Sequence, residues 1–288
     1  MSTAARQTSS WIASSVSLMT TRDWRPRYLQ VAEDLRKQIL DGALQPGDPM
    51  PSEATMSKTY SLSRTSIRGA IRQLREWGLV RAEQGRGTYV RAARQRVTRT
   101  PERYQWEKDR ARMGEDQRRR EGATEYDTGR PMHELVFTAE YLEIPADPDL
   151  AEAFGVEIGT PLLERRFRTR TQDELGPLAL VRSWLPHAIA AKNEALLDAA
   201  NEPWPGGTQH QLKTVGVEID RITDRVLARP PSPDEAIDLD IDPGVAILAL
   251  RKTSIDTKGG VVEVSDVVLA GDRTELVYTT TLERWTKP

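Results

Sequence analysis

The chain has 288 residues, 38% of them hydrophobic and 29% charged, with a formal net charge of −2 and no cysteine. The missing cysteine excludes disulfides, thiolate metal sites and cysteine nucleophiles, and the length predicts about two domains. No apolar run reaches the roughly 18 residues needed to span a bilayer. The charge is unevenly divided: residues 21–100 hold 16 Lys+Arg against 8 Asp+Glu, whereas residues 129–288 hold 17 against 27. A basic front and an acidic back point to a polyanionic partner for the front alone.

Residues 1–24 contain a stretch from Trp11 to Met19 that resembles the apolar part of a signal peptide. Serines interrupt it and no clear cleavage site follows, so a disordered tail is expected. Three helical patterns come next. In "YLQVAEDLRKQILDG", Tyr28, Val31, Leu35 and Ile39 share a face, and Gly42 is a plausible stop. After the Pro- and Gly-rich loop "ALQPGDPMP", Ser52 offers an N-cap and Glu53 an acidic first turn for a second helix of about two turns. The third pattern, capped by Ser63 or Thr65 and ending at Gly78, places Ile67, Ala70, Ile71, Leu74 and Trp77 on an apolar stripe. Arg64, Arg68, Arg72 and Arg75 run down the neighbouring face, where adjacent like charges repel unless something compensates them.

A short helix, a tight turn and a second helix starting in Ser, Thr and Arg is helix-turn-helix geometry, in which the N-terminal residues of the second helix enter the major groove. Here those are Ser63, Arg64, Thr65, Ser66 and Arg68. Arginine pairs with guanine O6 and N7, and hydroxyls suit phosphate or either base. "LVRAEQGRGTYVR" then reads as strand, turn and strand, with Gly85 and Gly87 permitting a tight hairpin and Arg86 at its tip. Such a hairpin is a wing, able to bring Arg86 to the minor groove. An arginine-rich helix face is commonly just solvated, and G-x-G turns are widespread; in this order, within a basic segment, they predict DNA binding.

Residues 94–130 are dense in both signs of charge and poor in aliphatics, and Pro101, Gly114 and Gly122 interrupt any helix. A charged linker is expected, with the alternative that Arg118 to Arg120 add to DNA affinity. From residue 131 short strand-like runs alternate with helical ones. "PLLERRFRTRT" and "GPLALVRSWLP" form one hairpin about a turn at residues 172–176; "VAILALRKTSID" and "VVEVSDVVLAG" form another about residues 258–260. "AAKNEALLDAA" is expected to be helical, "GVEIDRITDRVLARPP" strand-like and "SPDEAIDLDI" a short capped helix. The fold class is α+β: a winged helix-turn-helix over 25–93 joined to a mixed α/β domain over 131–288 on an antiparallel sheet.

No catalytic arrangement emerges. His133, His187 and His210 have no metal-ligand spacing, there is no HExxH, GxSxG or P-loop, and Gly206-Gly207 lacks the strand and lysine of a phosphate loop. The chain is expected not to be an enzyme, without cofactor or metal, although a site built from Asp and Glu has no sequence signature to exclude it.

Residues 27–90, above all "LQPGDPMPSE", "SRTSIRGAIRQL" and "QGRGTYV", resemble the DNA-binding domain of the GntR family of bacterial transcription regulators. The resemblance implies homodimers on palindromic double-stranded operators, with Ser63, Arg64, Thr65, Ser66 and Arg68 toward the major groove and Gln84, Gly85, Arg86, Gly87 and Thr88 as the wing. Many members carry an arginine directly after "PSE"; this chain has Ala54 there, so a contact made at that position is expected to be missing. Residues 133–285 resemble, more loosely, the UTRA effector-binding domain of the HutC subfamily. That resemblance implies a small polar or anionic effector held by an arginine pair, best matched by Arg166 and Arg168, together with Ser183, Glu263, Ser265 and Tyr278. Arg166 and Arg168 are two apart and so on one strand face. The competing readings are that they decorate a solvated face, and that the back domain only dimerises or recruits a protein. The expected function is a cytoplasmic, ligand-released repressor.

Overall fold

The computed structural model describes residues 24–83, 85–91, 96–120, 122–172, 174 and 176–284, which fold as two compact units divided near residue 94. Apart from Trp24, the expected N-terminal tail lies outside the described residues, as does Gln84 of the expected wing.

In the first unit, helices α1 (Arg27–Leu40), α2 (Glu53–Thr59) and α3 (Arg64–Glu76) precede the hairpin β1 (Val80–Glu83) and β2 (Gly87–Val90). Local signals account for each boundary. Gly42 at φ +76° follows the end of α1, a left-handed position suited to glycine. The Ser52 and Ser63 hydroxyls accept the Thr55 and Ser66 amides, so each caps the helix that follows it. Val31, Ala32 and Leu35 of α1 pack with Met56, Ile67, Ala70, Leu74, Val80 and Val90 in one core. A Cβ on Gly69 would lie 3.3 Å from the Tyr28 ring, so glycine lets α1 and α3 approach closely. The Tyr60 hydroxyl donates to Asp34 at 2.6 Å, tying α2 to α1 through a partly buried polar contact.

The second unit is built on a six-stranded antiparallel sheet of order β4-β5-β6-β9-β8-β7. Its strands are β4 (Leu135–Pro145), β5 (Pro161–Thr171), β6 (Ala179–Pro186), β7 (Ile219–Arg229), β8 (Ile247–Asp256) and β9 (Val261–Ala270). Helix α7 (Pro148–Phe154) packs Leu150, Ala151 and Phe154 on Leu162, Trp184 and Val264 of one sheet face. Leu212 of α9 (Gly207–Thr214) joins Leu163 and Leu185 on the other face. The capped helix expected near 232–241 is α10 (Pro233–Asp238), with Ser232 and Glu235 forming a reciprocal capping box.

Two expectations need correction. Residues 96–120 and 122–130 are more than a solvated, charged linker. Val97–Arg99 is a strand, β3, paired in parallel with β10 (Thr274–Leu276), and helices α4 (Glu102–Arg110), α5 (Glu115–Arg118) and α6 (Ala123–Thr128) follow. Pro101, Gly114 and Gly122, read as breakers, are the N-cap residues that start these helices. The charges that suggested solvation are paired: Asp127 sits 3.0 Å from Arg103 and 3.6 Å from Arg99, and Arg119 pairs with Glu115. The Arg118 guanidinium donates to the Pro205 carbonyl within the same unit. Next, "AAKNEALLDAA" forms not one helix but the end of the four-residue α8 (His187–Ala190) and two single 3-10 turns, because Asn193 and Asp198 each cap a new turn with their side chains. Near the C-terminus, strand ends at Leu276.

Candidate DNA-reading surface and effector core

Helix α3 presents Ser63, Arg64, Thr65 and Arg68 as exposed side chains at or near its N-terminus, with Ser66 half-buried. Ile67, Ala70 and Leu74 anchor the opposite side in the core, which fixes the direction in which the arginines project. Arg68 is not loose: its Nε donates to both Glu53 oxygens, at 3.0 and 2.9 Å, which leaves its terminal nitrogens free to face outward. Ala54, on the same helix as Glu53, is exposed and short.

The wing hairpin pairs Glu83 with Gly87, and Gly85 and Gly87 adopt φ of +74° and +116°. A side chain at either position would be strained. Loop residues 47–50 brace the wing from behind, with Met50 N–H donating to Thr88 and Val90 N–H to Asp48. Arg86 stands at the tip with 75% of its side chain exposed, 3.3 Å from Glu83. Replacing Arg86 with alanine is expected to weaken specific and non-specific DNA binding together and to lower the salt slope of binding by about one. Titrations at several salt concentrations measure it; an unchanged slope would place the wing off the DNA.

A polar cross-strand row runs across the sheet of the second unit. Tyr141, Arg165, Ser183, Ser265, Lys252 and Asp224 oppose one another in succession from β4 to β7. Opposed residues of an antiparallel pair share a face, so all six project to the side covered by α9. Glu263 is the hub. It lies 3.0 Å from Arg165 and 2.8 Å from Lys252, and accepts from Ser183 at 2.9 Å, Ser254 at 3.0 Å and Ser265 at 3.2 Å. Arg165 also donates to Ser183 at 2.7 Å and to Gln211 of α9 at 2.6 Å. Gln211 in turn donates to Glu202, which accepts the Tyr141 hydroxyl. Burial by itself would raise the Glu263 carboxyl, but Lys252 and Arg165 outweigh it and hold it at about 2.

Of the expected effector residues, the structure brings Ser183, Glu263 and Ser265 together and leaves out the others. Arg166 and Arg168 project from the opposite face of β5, 43% and 57% exposed, and are paired with Glu164 at 2.6 Å and Asp238 at 2.7 Å. The arginine that meets the cluster is Arg165, which is fully buried. Tyr278 is exposed and lines a separate crevice with Arg99, Arg103, Tyr104 and Asp224. There Tyr104 donates to Asp224 at 2.7 Å, so the polar row ends on α4. For Arg165 the sequence does hold a signal, its register opposite Ser183 across the β5–β6 hairpin. Tyr141, Glu202 and Gln211 had none, because they come from segments far apart in the chain. Among the described residues no group of three or more His, Asp or Glu is placed to hold a metal ion, and no helix is long and apolar enough to cross a membrane.

This fold and these two surfaces define a bacterial transcription regulator with a separate sensing domain. Residues 27–90 match the model for bacterial regulatory proteins of the gntR family, and residues 136–275 match the UTRA domain. The chain is 28% identical over 257 residues to an uncharacterized HTH-type transcriptional regulator of Rhizobium meliloti, covering 88% of this chain and 93% of that one. It is 27% identical over 255 residues to the HTH-type transcriptional repressor NagR of Bacillus subtilis, covering 88% and 94%. A crystal structure of a putative GntR-family transcriptional regulator superposes with a TM-score of 0.57 at 27% identity, over 90% of this chain and 99% of that one. The chain belongs to the GntR family, with the DNA-binding and UTRA domains that characterise its HutC-type members, and is a transcriptional regulator rather than an enzyme.

Proposed function

We propose that this protein is a cytoplasmic repressor that binds a palindromic operator as a homodimer and is released by a small polar molecule entering the UTRA core. The observation that carries the reading is the buried row centred on Glu263. A well-packed hydrophobic interior is often at least as stable as one holding buried ion pairs, which favours a recognition role for this cluster. Ser63, Arg64, Thr65, Ser66 and Arg68 read the major groove; Gly85, Arg86, Gly87 and Thr88, with Gln84 beside them, form the wing. In the core we assign effector contact to Arg165, Ser183, Glu263 and Ser265, in place of the outward-facing Arg166 and Arg168. The name of the Bacillus subtilis relative, a repressor, supports repression here as well.

The row's last member, Asp224, is held by Tyr104 on α4, which follows the DNA-binding unit in the chain after only β3. A ligand that rearranges the row therefore has a direct route to the segment that leads to the DNA-binding helices. Selection from a random duplex library with the full-length protein should recover an inverted repeat. A releasing ligand should then lower operator affinity about 5- to 150-fold, and operator DNA should weaken ligand binding by the same factor. Identical operator affinity with and without a saturating ligand would rule the switch out.

A further inference from the structure

On the core face of β5, the positions two apart are Arg165 and Phe167, not two arginines. The Arg165 guanidinium lies 5.5 Å over the Phe167 ring, which packs against Phe137 and meets Tyr141 edge-on. A second arginine there would supply the fork that grips phosphate or carboxylate; a phenyl ring offers an anion nothing. The two cations that do face the core are already answered, because Glu263 sits between Arg165 and Lys252. The second carboxylate, Glu202, takes the Tyr141 hydroxyl and the Gln211 amide. With Asp224 opposite Lys252 at the end of the row, these two cations already face three carboxylates, and an incoming anion would be a buried charge without compensation. What is left to a ligand is neutral chemistry. The Ser183 and Thr208 hydroxyls line the Arg165 guanidinium, whose buried Nε lacks an acceptor. A hydroxyl or carbonyl oxygen would satisfy that donor without adding charge.

We infer that the UTRA core of this chain takes an uncharged, hydroxyl-bearing small molecule, and that Glu263 and Phe167 are the residues that exclude phosphate and carboxylate ligands. The inference rests on the reading of the core as the effector site. Thermal unfolding of the full-length protein tests it, with inorganic phosphate and glucose 6-phosphate as probes against chloride at matched ionic strength. Wild type should show no phosphate-specific shift. Glu263→Gln, which leaves Arg165 and Lys252 facing each other without a carboxylate, should gain a rise of about 2–5 °C at millimolar probe. Phe167→Arg should gain a similar rise over its own baseline. A wild-type rise that Arg165→Gln abolishes would overturn the exclusion while keeping the core as the effector site. The absence of a rise in both variants would overturn the roles given to Glu263 and Phe167. The effector-site reading fails separately, if a compound releases DNA equally well from wild type and from Arg165→Gln.

Discussion

Arg64→Ala is expected to weaken operator binding by roughly 1–3 kcal/mol and to relax specificity at one base pair in each half-site. Arg64 is the first residue of α3, exposed, directly after the Ser63 cap. A helix entering the groove by its N-terminus brings that position to the base edges first. Arg72, two turns further along, lies beyond that end and is expected to cost far less. Quantitative shift assays at one salt concentration compare the two. Equal losses would mean that α3 lies along the backbone rather than pointing into the groove. Because Glu53 already holds Arg68 by its Nε, Arg68→Ala should also release Glu53, and part of its loss will come from a carboxylate left near phosphate.

Glu263→Gln is expected to have the largest effect on stability. In the folded protein the carboxyl is held at about 2, against an ordinary 4.5. A depressed carboxyl contributes stability that is complete above the unfolded value and is lost as pH falls through the folded value. The window is therefore about pH 4.5 down to about 2, and the contribution above it is roughly 3 kcal/mol by linkage. The variant should be less stable than wild type at pH 7, and the gap between them should close on acidification across that window. Urea unfolding at pH 7, 4 and 3 reads it directly. A gap independent of pH would show that the cost comes from packing and hydrogen bonding, not from the charge.

The DNA-binding unit was legible in the sequence because its signals are local. The Ser52 and Ser63 caps, the glycines at 42, 85 and 87, and the 3.6-residue apolar period each act within a few residues, and the core then accepts the faces they define. The connector is hard to read from sequence for the opposite reason. A dense mixture of charges looks solvated until the partners are known, and Arg99 and Arg103 find Asp127 only once α6 folds back on β3. Sequence spacing does not tell the inward Arg165 from the outward Arg166 and Arg168, because the first half of β5 is buried on both faces. Leu162, Leu163, Glu164 and Arg165 are all inside, so the alternation that normally separates an inward from an outward side chain is absent.

By itself, the sequence determined that the front of this protein reads DNA and that the back is an α+β domain of strands and hairpins, since both follow from short-range periodicity, turn chemistry and charge. The tertiary structure decided which side chains form the core. Strand order sets β6 beside β9, which places Ser183 opposite Ser265, and the β5–β6 register turns Arg165 inward while Arg166 and Arg168 face out. A shift of one residue in that register would exchange the two faces, and its energy depends on neighbours up to a hundred residues away in the chain.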